Sequence, residues 1–431
     1  MEVKVCGIIG YIGEQTENNL YLGLQRLEYR GYDSAGMTIK RGETFTTFKS
    51  IGQVEKLKNQ IDFKEAFGLG IAHTRWATHG SISLENCHPH FSQNGNISLV
   101  HNGIIENYED LKEELAKKGK SFYSQTDSEV IAKLFENKLD INNLRRVIRK
   151  LNGSYALVII SKHSDNIYFA KNKSPLYIGI GKHCTIIASD PACFYGNCDK
   201  YISLEDGQYG RFSQNEIVIY DNEDKIIDNQ PKKLDINFAN EEKSGYEHYM
   251  IKEIYQSRIA LENIIDRYQT FEIIEKLKKL KSMQFDRIYL IGCGTAYHAG
   301  LIGQYYMSRS FNIDIFCEIA SELKNKNLNI DENSLCIFIS QSGETADTIS
   351  ALEYCKSRSA KIVSVVNTEY STIARKSILS FPICAGQEKA VASTKAYFAQ
   401  CLILYIITKY FKGCDYIQPL KNFKRQIDFG D

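Results

Sequence analysis

The pattern of apolar residues changes near residues 228–245, and this change constrains the fold more than any other feature of the chain. Before it, short runs of β-forming residues are separated by turn residues, and few stretches show the helical period. After it, strand-like runs alternate with helical stretches, which predicts βαβ units and a parallel sheet. The sequence therefore predicts an α+β domain followed by an α/β domain, with a polar linker between them.

Individual elements can be assigned on both sides of this change. The strands predicted in the first half are Cys6–Ile12, Gly70–His73, Ile97–His101, Tyr155–Ile160, Ile167–Ala170, Ile186–Ala188 and Glu216–Tyr220, and its helices are Asn18–Glu28, Tyr108–Lys117, Asp127–Asn137 and Asn142–Lys150. The second half begins with helical patterning over Glu253–Lys281; its predicted strands are Asp286–Gly292, Ile313–Cys317, Ser334–Ser340 and Ile362–Asn367, and its helices are Ala296–Ser310, Thr345–Ser357 and Ala390–Lys409. Ligands of such a parallel sheet are expected at the carboxyl ends of its strands.

The composition predicts an ordinary globular protein, with 43% hydrophobic and 24% charged residues. A formal net charge of +1, from 53 Lys and Arg against 52 Asp and Glu, gives no reason to expect nucleic acid or an acidic membrane as a partner. The apolar stretch Tyr397–Ile407 is too short for a membrane span, which needs ~20 residues. The twelve cysteines are scattered, and in a chain of this size they predict reduced thiols in a cytoplasmic protein.

Cys6 stands at the start of the first apolar strand and is followed by Gly7. A single cysteine in a strand is most often a small core residue, so its position alone does not predict a nucleophile. Four polar segments further along the chain change this interpretation, because they combine charges, aromatic rings, hydroxyls and glycines next to predicted elements. They are Arg26–Gly36, His73–Gly80, His101–Asn107 and Ser124–Glu129.

From Cys6 to about Asp206, these segments resemble in order the N-terminal-nucleophile glutaminase domain of class II amidotransferases, and most of all that of the fructose-6-phosphate aminotransferase family. The resemblance implies that Cys6 attacks the side-chain amide of glutamine, with its own α-amino group as the base. The Asn102 side-chain amide and the Gly103 backbone N–H would bind the oxyanion. The residues implied to bind glutamine are Arg75, Trp76, Thr78, His79, His88 and Asp127.

Several of these assignments have simpler alternatives. Arg75 would grip the α-carboxylate of glutamine with its planar fork, and Asp127 would pair with the α-ammonium. Asp127 is equally well placed to cap a helix, although Thr126 could do so instead. An Asn-Gly pair such as Asn102-Gly103 is by itself typical of a hairpin turn. Trp76 would gate the passage of ammonia, or would simply pack in the core.

The segment Cys87-His88-Pro89-His90, with His79 nearby, raises the question of a metal site. Structural zinc sites use Cys and His at tetrahedral spacings that this segment lacks. No metal is therefore predicted, and the resemblance implies no organic cofactor.

Two strand-to-helix junctions in the second half are suited to phosphate. The first is Gly292–Gly300, where backbone N–H groups at a helix start favour an anion. The second is Ser340-Gln341-Ser342-Gly343-Glu344-Thr345, which offers several hydroxyls and an amide as uncharged donors. A Ser or Thr N-cap is the simpler explanation of this loop, but a cap does not need the whole cluster.

This loop, together with Glu388–Ala396, resembles the sugar isomerase (SIS) domain, and the Gly245–Tyr255 segment resembles the interdomain segment of the same family. The residues that the resemblance implies for sugar phosphate binding are Thr295, Ser340, Gln341, Ser342, Thr345, Val391 and Ser393. Ala296 departs from the serine often found after that threonine, so one hydroxyl contact is expected to be lost.

The order of domains predicts a glutaminase at 6–228, a linker and helical segment at 229–284, a first SIS domain at 285–420, and the beginning of a further region at 421–431. The expected function is to hydrolyse glutamine and to supply ammonia to fructose-6-phosphate, giving glucosamine-6-phosphate. The family has a second SIS domain and a C-terminal tail, which this chain is expected to lack; a homodimer is expected of the full-length form. Without that region, glutaminase activity and sugar phosphate binding are what would remain.

Residues Met1–Val5 precede Cys6, so the nitrogen of Cys6 is a peptide nitrogen and cannot act as a base while they are attached. Three hypotheses follow: residues 1–5 are removed, translation begins at the Val5 codon, or the glutaminase is inactive. A non-catalytic module that binds a sugar phosphate is the rival from another class. Amidotransferases acting on phosphoribosyl pyrophosphate and asparagine synthetases need nucleotide-type loops that the sequence does not show.

Overall fold

The computed structural model describes residues 6–76, 80–135, 138–234, 245–390 and 392–426. These residues divide into two compact units, an N-terminal unit that reaches residue 234 and a C-terminal unit that starts from residue 245. No helix within these ranges combines the length and apolarity that crossing a bilayer requires.

The N-terminal unit is built mainly of strands. Its strands are β1 Gly7–Gly13, β2 Ser34–Arg41, β3 Thr44–Ile51, β4 Gly68–Arg75, β5 His90–Phe91, β6 Ile97–Ile105, β7 Gly153–Ser161, β8 Ile167–Asn172, β9 Tyr177–Ile180, β10 Cys184–Ala188, β11 Lys200–Ser203, β12 Tyr209–Phe212, β13 Ile217–Tyr220, β14 Ile226–Ile227 and β15 Lys232–Lys233. Its helices are α1 Thr16–Leu27, α2 Glu55–Lys58, α3 Tyr108–Lys117, α4 Asp127–Leu134 and α5 Ile141–Ile148.

These strands form two sheets that pack face to face. One has the order β15-β11-β9-β10-β1-β4-β2-β3 and the other β14-β13-β12-β8-β7-β6-β5, and neighbouring strands are antiparallel. Ile8 on β1 and Val158 on β7 belong to one buried cluster, which is the core between the sheets. Ile9 points the other way, because side chains alternate along a strand, and an added Cβ on Gly23 of α1 would lie 2.2 Å from its Cδ1.

The outer face of the second sheet is covered by α3, α4 and α5, which bury Leu111, Val130 and Leu144 against it. The unit therefore has four layers, with helices outside and two sheets inside. This confirms the predicted α+β class and explains why β1 is apolar on both faces.

The C-terminal unit alternates strands and helices after three initial helices. Its helices are α6 Tyr249–Tyr255, α7 Ser257–Arg267, α8 Phe271–Ser282, α9 Thr295–Ser308, α10 Ala346–Ser357, α11 Thr372–Lys376, α12 Lys395–Phe411 and α13 Ile417–Lys424. Its strands are β16 Arg287–Gly292, β17 Asp314–Ile319, β18 Ser334–Ser340, β19 Lys361–Val366 and β20 Leu379–Pro382.

The five strands form one parallel sheet in the order β17-β16-β18-β19-β20, so the predicted α/β class is confirmed. Strand β17 lies on one side of β16, and the next strand in the chain, β18, lies on the other side of β16. The carboxyl ends of β16 and β18 thus flank a topological switch point, the usual position of a ligand in such sheets.

Side chains of β18 show how the sheet is buried on both faces. Ile337 joins a core with helices α7, α8 and α12, whereas Phe338 joins the opposite core with α10 and α11. Leu261 and Leu277, from the predicted linker and helical segment, lie in the first of these cores. The predicted domain limits themselves stay predictions.

Candidate active sites

The geometry at Cys6 follows from the pairing of β1 with β4. Gly7 pairs with Thr74, so Cys6, just before β1, lies beside the end of β4. The Cys6 Sγ accepts a hydrogen bond from the backbone N–H of Trp76 at 3.1 Å. Gly31 lies against the same turn, where an added Cβ would be 2.7 Å from the Arg75 carbonyl carbon, so only glycine fits there.

Opposing effects act on the Cys6 thiol. Burial raises its pKa, while the Trp76 N–H and the guanidinium groups of Arg75 and Arg30 act in the opposite direction. Because burial is the largest of these effects, the thiol rests protonated. Nucleophilic attack therefore needs a base close to the sulfur.

Asn102 and Gly103 lie inside β6 rather than in a hairpin turn. The Asn102 Nδ2 donates to the backbone carbonyl of Cys6 at 2.6 Å, which brings the predicted oxyanion group to the predicted nucleophile. Gly103 has φ +136°, and an added Cβ would be 2.0 Å from the carbonyl oxygen of Ser154 on β7. Glycine is therefore required at this position by the close approach of β7.

Thr126, and not Asp127, caps helix α4, because its hydroxyl accepts from the backbone N–H of Glu129. The buried Asp127 carboxylate instead accepts from the N–H of Ile105 at 2.9 Å and from the Ser128 hydroxyl at 3.2 Å. Asp127 is thus held next to the end of β6, two residues after Gly103.

Arg75 is buried at the end of β4, and its Nη1 donates to the carbonyl of Ser81 at 3.2 Å. Asn86 fastens the same loop, since its Nδ2 donates to the Ser81 carbonyl at 2.9 Å. The ring of Trp76 meets that of Tyr32 edge-on, with centroids 5.2 Å apart. Its gating role stays a prediction, and Thr78 and His79 lie outside the described residues.

Three buried histidines lie in contact behind this site. The ring of His88 stacks on His73 at 4.0 Å and meets His90 edge-on at 4.6 Å. Burial lowers the pKa of His73 to about 3 and holds the pKa of His88 and of His90 well below the usual range, so all three are neutral. Within the described ranges, no group of three or more His, Cys, Asp or Glu side chains is arranged to hold a metal.

The predicted phosphate loop follows β18. The Ser340 Oγ accepts from the N–H of Gly343 at 3.0 Å, and the Ser342 Oγ accepts from the N–H of Glu344 at 3.2 Å. Thr345 stands at the N-cap of α10, but its side chain makes no capping bond. Thr345 Oγ1 lies 3.4 Å from Ser340 Oγ, so the hydroxyls face one another in the loop instead of capping the helix.

The first junction lies beside this loop, because β16 and β18 are paired neighbours. Gly294 has φ +57° and precedes Thr295, the first residue of α9. Ala296 is buried in the core under the sheet. Thr295, Ser340, Gln341, Ser342 and Thr345 are thus brought to the carboxyl ends of two adjacent strands.

The third predicted segment is held by two buried carboxylates. Glu388 accepts from the Ser393 hydroxyl at 2.7 Å and from the N–H of Thr394 at 2.7 Å. Glu253 on α6 accepts from the N–H groups of Lys389 at 2.5 Å and Ala390 at 3.1 Å. Burial raises the pKa of Glu253 although these N–H groups act against it. Val391 lies outside the described residues.

Comparison with known proteins covers both units. A glutamine amidotransferase domain model matches residues 73–196, and a SIS domain model matches residues 283–409. A glutamine–fructose-6-phosphate aminotransferase (isomerizing) of Fusobacterium nucleatum is 40% identical over 417 residues, which are 94% of this chain and 69% of that protein. Its counterpart in Campylobacter jejuni is 42% identical over 414 residues, again 94% of this chain and 69% of that protein.

The chain belongs to the glutamine–fructose-6-phosphate aminotransferase family. Among solved structures, the C-terminal domain of glucosamine-fructose-6-phosphate aminotransferase from Francisella tularensis covers 43% of this chain and 56% of its own, at 31% identity and a TM-score of 0.39. In the present chain, the range matched by the amidotransferase model includes Arg75, Asn102 and Asp127, and the range matched by the SIS model includes Ser340 and Ser393.

The sequence alone indicates no role for His73, Glu253 or Glu388. His73 belongs to one of the polar segments, but it contacts Asn102, which lies 29 positions further along the chain and in the other sheet. Glu253 and Glu388 accept mainly from backbone N–H groups, which leave no side-chain pattern to recognise. The signal for His73 is a histidine at the end of an apolar run, immediately before Thr74 and Arg75.

Proposed function

We propose that this chain hydrolyses glutamine at Cys6 and supplies the ammonia to fructose-6-phosphate in the C-terminal unit, forming glucosamine-6-phosphate. The observation that carries the proposal is the Cys6 sulfur next to the Trp76 N–H, with the Asn102 amide nitrogen 2.6 Å from the Cys6 carbonyl. A nucleophile and a preorganised donor are what acyl transfer from an amide requires.

The proposed reaction has two stages. The Cys6 thiolate attacks the amide carbon of glutamine, and the negative charge that develops on the oxygen is stabilised by the Asn102 amide and the Gly103 N–H. Collapse of this intermediate breaks the C–N bond, and the nitrogen leaves as ammonia after taking a proton. Water then attacks the thioester, releasing glutamate and restoring the thiol.

Glutamine is held by Arg75 at its α-carboxylate and by Asp127 at its α-ammonium, with Trp76, Thr78, His79 and His88 completing the pocket. The buried positions of Arg75 and Asp127 support this assignment, because a desolvated charge pairs strongly with an opposite charge. Fructose-6-phosphate is bound by Thr295, Ser340, Gln341, Ser342, Thr345, Val391 and Ser393. This assignment is supported by the position of the Ser340–Thr345 loop at the topological switch point of the sheet, where ligands of such sheets bind.

The base is the α-amino group of Cys6, which requires that residues 1–5 be absent from the active form. An attached Val5 turns that nitrogen into a peptide nitrogen, which has no basic lone pair. This same observation favours the second candidate function, a non-catalytic sugar phosphate-binding module. All twelve cysteines are free thiols, which supports a cytoplasmic enzyme; the homodimer stays a prediction, to be checked by light scattering.

Intact-mass measurement of the purified protein, paired with an assay of glutamate release, tests the proposal. We expect protein that begins at Cys6 to release glutamate and protein that retains Met1 to release little. Fast hydrolysis with Met1 present would exclude the α-amine as base. Protein that begins at Cys6 and releases no glutamate would favour the non-catalytic module, and fructose-6-phosphate that leaves thermal stability unchanged would exclude the sugar site.

A further inference from the structure

A chain of hydrogen bonds runs from His73 through Asn102 to the backbone carbonyl of Cys6. His73 Nε2 lies 3.0 Å from Asn102 Oδ1 and 3.1 Å from the backbone carbonyl oxygen of His101. Asn102 Nδ2 in turn lies 2.6 Å from the carbonyl oxygen of Cys6. Among the hydrogen bonds of the described residues, those of His73 reach Asn102 and the His101 carbonyl, and Asn102 is the group that connects His73 to Cys6.

The direction of each bond in this chain is determined. The Cys6 carbonyl can only accept, so the nitrogen and not the oxygen of the Asn102 amide must face it. The Asn102 oxygen therefore faces His73, and since the His101 carbonyl is also an acceptor, Nε2 must carry a hydrogen. The burial that lowers the pKa of His73 to about 3 leaves the other nitrogen, Nδ1, unprotonated.

We propose that His73 is a positioning residue for glutamine hydrolysis, whose Nε2–H holds the Asn102 amide with its nitrogen towards Cys6 and the developing oxyanion. The proposal rests on the proposed function of Asn102 as an oxyanion donor. An amide nitrogen has two hydrogens: the Cys6 carbonyl takes one, and the other is directed to the substrate oxygen. Rotating the amide by half a turn would put an oxygen where that donor is needed.

The state of the imidazole supports a role for Nε2 rather than for packing alone. His73 is 1% exposed, and its Nδ1 is buried without a hydrogen-bond partner among the described residues. A buried unpartnered nitrogen is destabilising, and an apolar side chain of similar size would avoid it. The stacking of His73 on His88, with 17° between the rings, also holds the ring plane so that Nε2 stays directed at Asn102.

Loss of this donor is expected to lower kcat and leave KM unchanged, because the oxyanion exists only after attack. Removing an oxyanion donor outright typically lowers kcat by about 10²- to 10³-fold. Losing only its orientation is expected to cost less, about 10- to 100-fold, which is the range known for groups that orient the ligands of a metal ion.

The variants are His73→Leu, His73→Asn and His73→Gln in protein that begins at Cys6. The side-chain nitrogen of glutamine is as many bonds from Cα as Nε2 of histidine, so His73→Gln can restore the donor, whereas asparagine is one bond too short. If His73→Leu does not fold, His73→Asn replaces it as the loss variant. His163→Leu, at a histidine whose side chain is 54% exposed, is the control.

The measurements are kcat and KM for glutamate release, the rate at which iodoacetamide alkylates Cys6, and thermal stability. We expect the loss variant to lower kcat with KM and alkylation unchanged, and His73→Gln to recover most of the activity. A loss variant that folds and keeps kcat within about twofold of the parent overturns the proposal, as does a His73→Gln variant as slow as the loss variant.

The proposed function can fail separately. If the parent protein that begins at Cys6 releases no glutamate, glutamine hydrolysis is excluded, and the inference is then decided by the NMR signal of the Asn102 side-chain amide. A signal that moves in the loss variant and returns in His73→Gln supports the positioning by His73. A signal that is the same in all three proteins overturns it.

Discussion

Around Cys6, the groups that support the candidate catalytic side chains are neutral, whereas around Ser393 they are carboxylates. His73 contacts Asn102 and the Trp76 N–H contacts Cys6, and neither His73 nor this N–H carries a charge. In the C-terminal unit, Glu388 and Glu253 hold the segment that carries Ser393. Burial already opposes ionisation of the Cys6 thiol, and the pKa of a buried thiol responds strongly to a nearby charge. Because the supporting groups are neutral, the pKa of this thiol depends on the base and on the arginines.

Carboxylates suit the second site for a different reason. Residues 388–390 and 392–394 lie outside any helix or strand, so their backbone N–H groups have no ladder to join. The Glu253 carboxylate accepts from two of these groups, and the Glu388 carboxylate accepts from the N–H of Thr394 and from the Ser393 hydroxyl. The difference indicates that the first site is fixed by strand pairing and refined by neutral donors, while the second is folded around buried charge.

The largest expected effect is the loss of glutamate release while binding of fructose-6-phosphate is retained. Cys6→Ala in protein that begins at residue 6 is expected to lower glutamate release by at least about 10⁴-fold, because no other group replaces the nucleophile. The shift in thermal stability produced by fructose-6-phosphate is expected to stay as in the parent. Cys414→Ala, at an exposed cysteine, is the matched control and should leave both measurements unchanged.

The pH dependence of stability is expected to differ in sign between the units. His73, His88 and His90 have folded pKa values below the ordinary ~6.5, so their contribution to the stability of the N-terminal unit is fully present above about pH 6.5 and is lost progressively as the pH falls below that value. Glu253 has a raised pKa, so its contribution is present at low pH and is lost as the pH rises through the folded pKa.

Fluorescence of Trp76, the single tryptophan of the chain, reports the N-terminal unit, and calorimetry reports both units. When the pH is lowered from 7 to 5, we expect the fluorescence transition of the N-terminal unit to move to lower temperature. The calorimetric transition of the C-terminal unit should move less. His90→Phe should reduce this acid sensitivity. Two transitions that move together would contradict the assignment of neutral and charged supports to separate units.

A smaller effect is expected from Glu388→Gln. The glutamine amide keeps one acceptor oxygen, but its NH₂ group would face an N–H or hydroxyl donor. That donor loses its acceptor, which is expected to lower the unfolding free energy of the C-terminal unit by about 1–3 kcal/mol. Fructose-6-phosphate should bind about tenfold more weakly, as measured by calorimetry, while glutamate release is retained. Glu322→Gln, at an exposed carboxylate, is the control, and equal affinities in the two variants would exclude a role for Glu388.

The smallest effect concerns the cap of α4. Thr126→Ala is expected to lower the unfolding free energy of the N-terminal unit by about 1 kcal/mol, because the Glu129 N–H loses its acceptor. Thr46→Ala, on the exposed face of β3, should change it by less than about 0.5 kcal/mol. Equal values in chemical denaturation would show that Thr126 is not the cap that decides the position of Asp127.

The long apolar strands were predictable because burial on both faces leaves a continuous signal. Ser334–Ser340 was predicted with the bounds that the structure has. Strand β2 was not predicted, because it begins Ser-Ala-Gly and takes its extended form from pairing with β4 rather than from its own propensity. The long helix starts at Lys395 and not at Ala390, since Glu388 holds the preceding residues in a loop.

The candidate sites divide in the same way. Cys6, Asn102 and Ser340 could be named from the sequence because their motifs are local and resemble a known family. The supporting residues His73 and Glu253 could not be named from the sequence. Each contacts a residue that is distant in the sequence, and the contact exists only in the folded chain. The role of Asp127 was left open between a cap and a ligand, and only the geometry assigns the cap to Thr126.

The bond from Glu253 to the Lys389 N–H spans 136 positions of the chain, and this has a consequence for synthesis. A ribosome makes Glu253 long before it makes residues 389 and 390, so during that interval the carboxylate has no partner and must stay in water. Helix α6 therefore cannot complete its burial until residues 389 and 390 have emerged. The segment that carries Ser393 and helix α6 should therefore fold together, after the strands of the parallel sheet have been made.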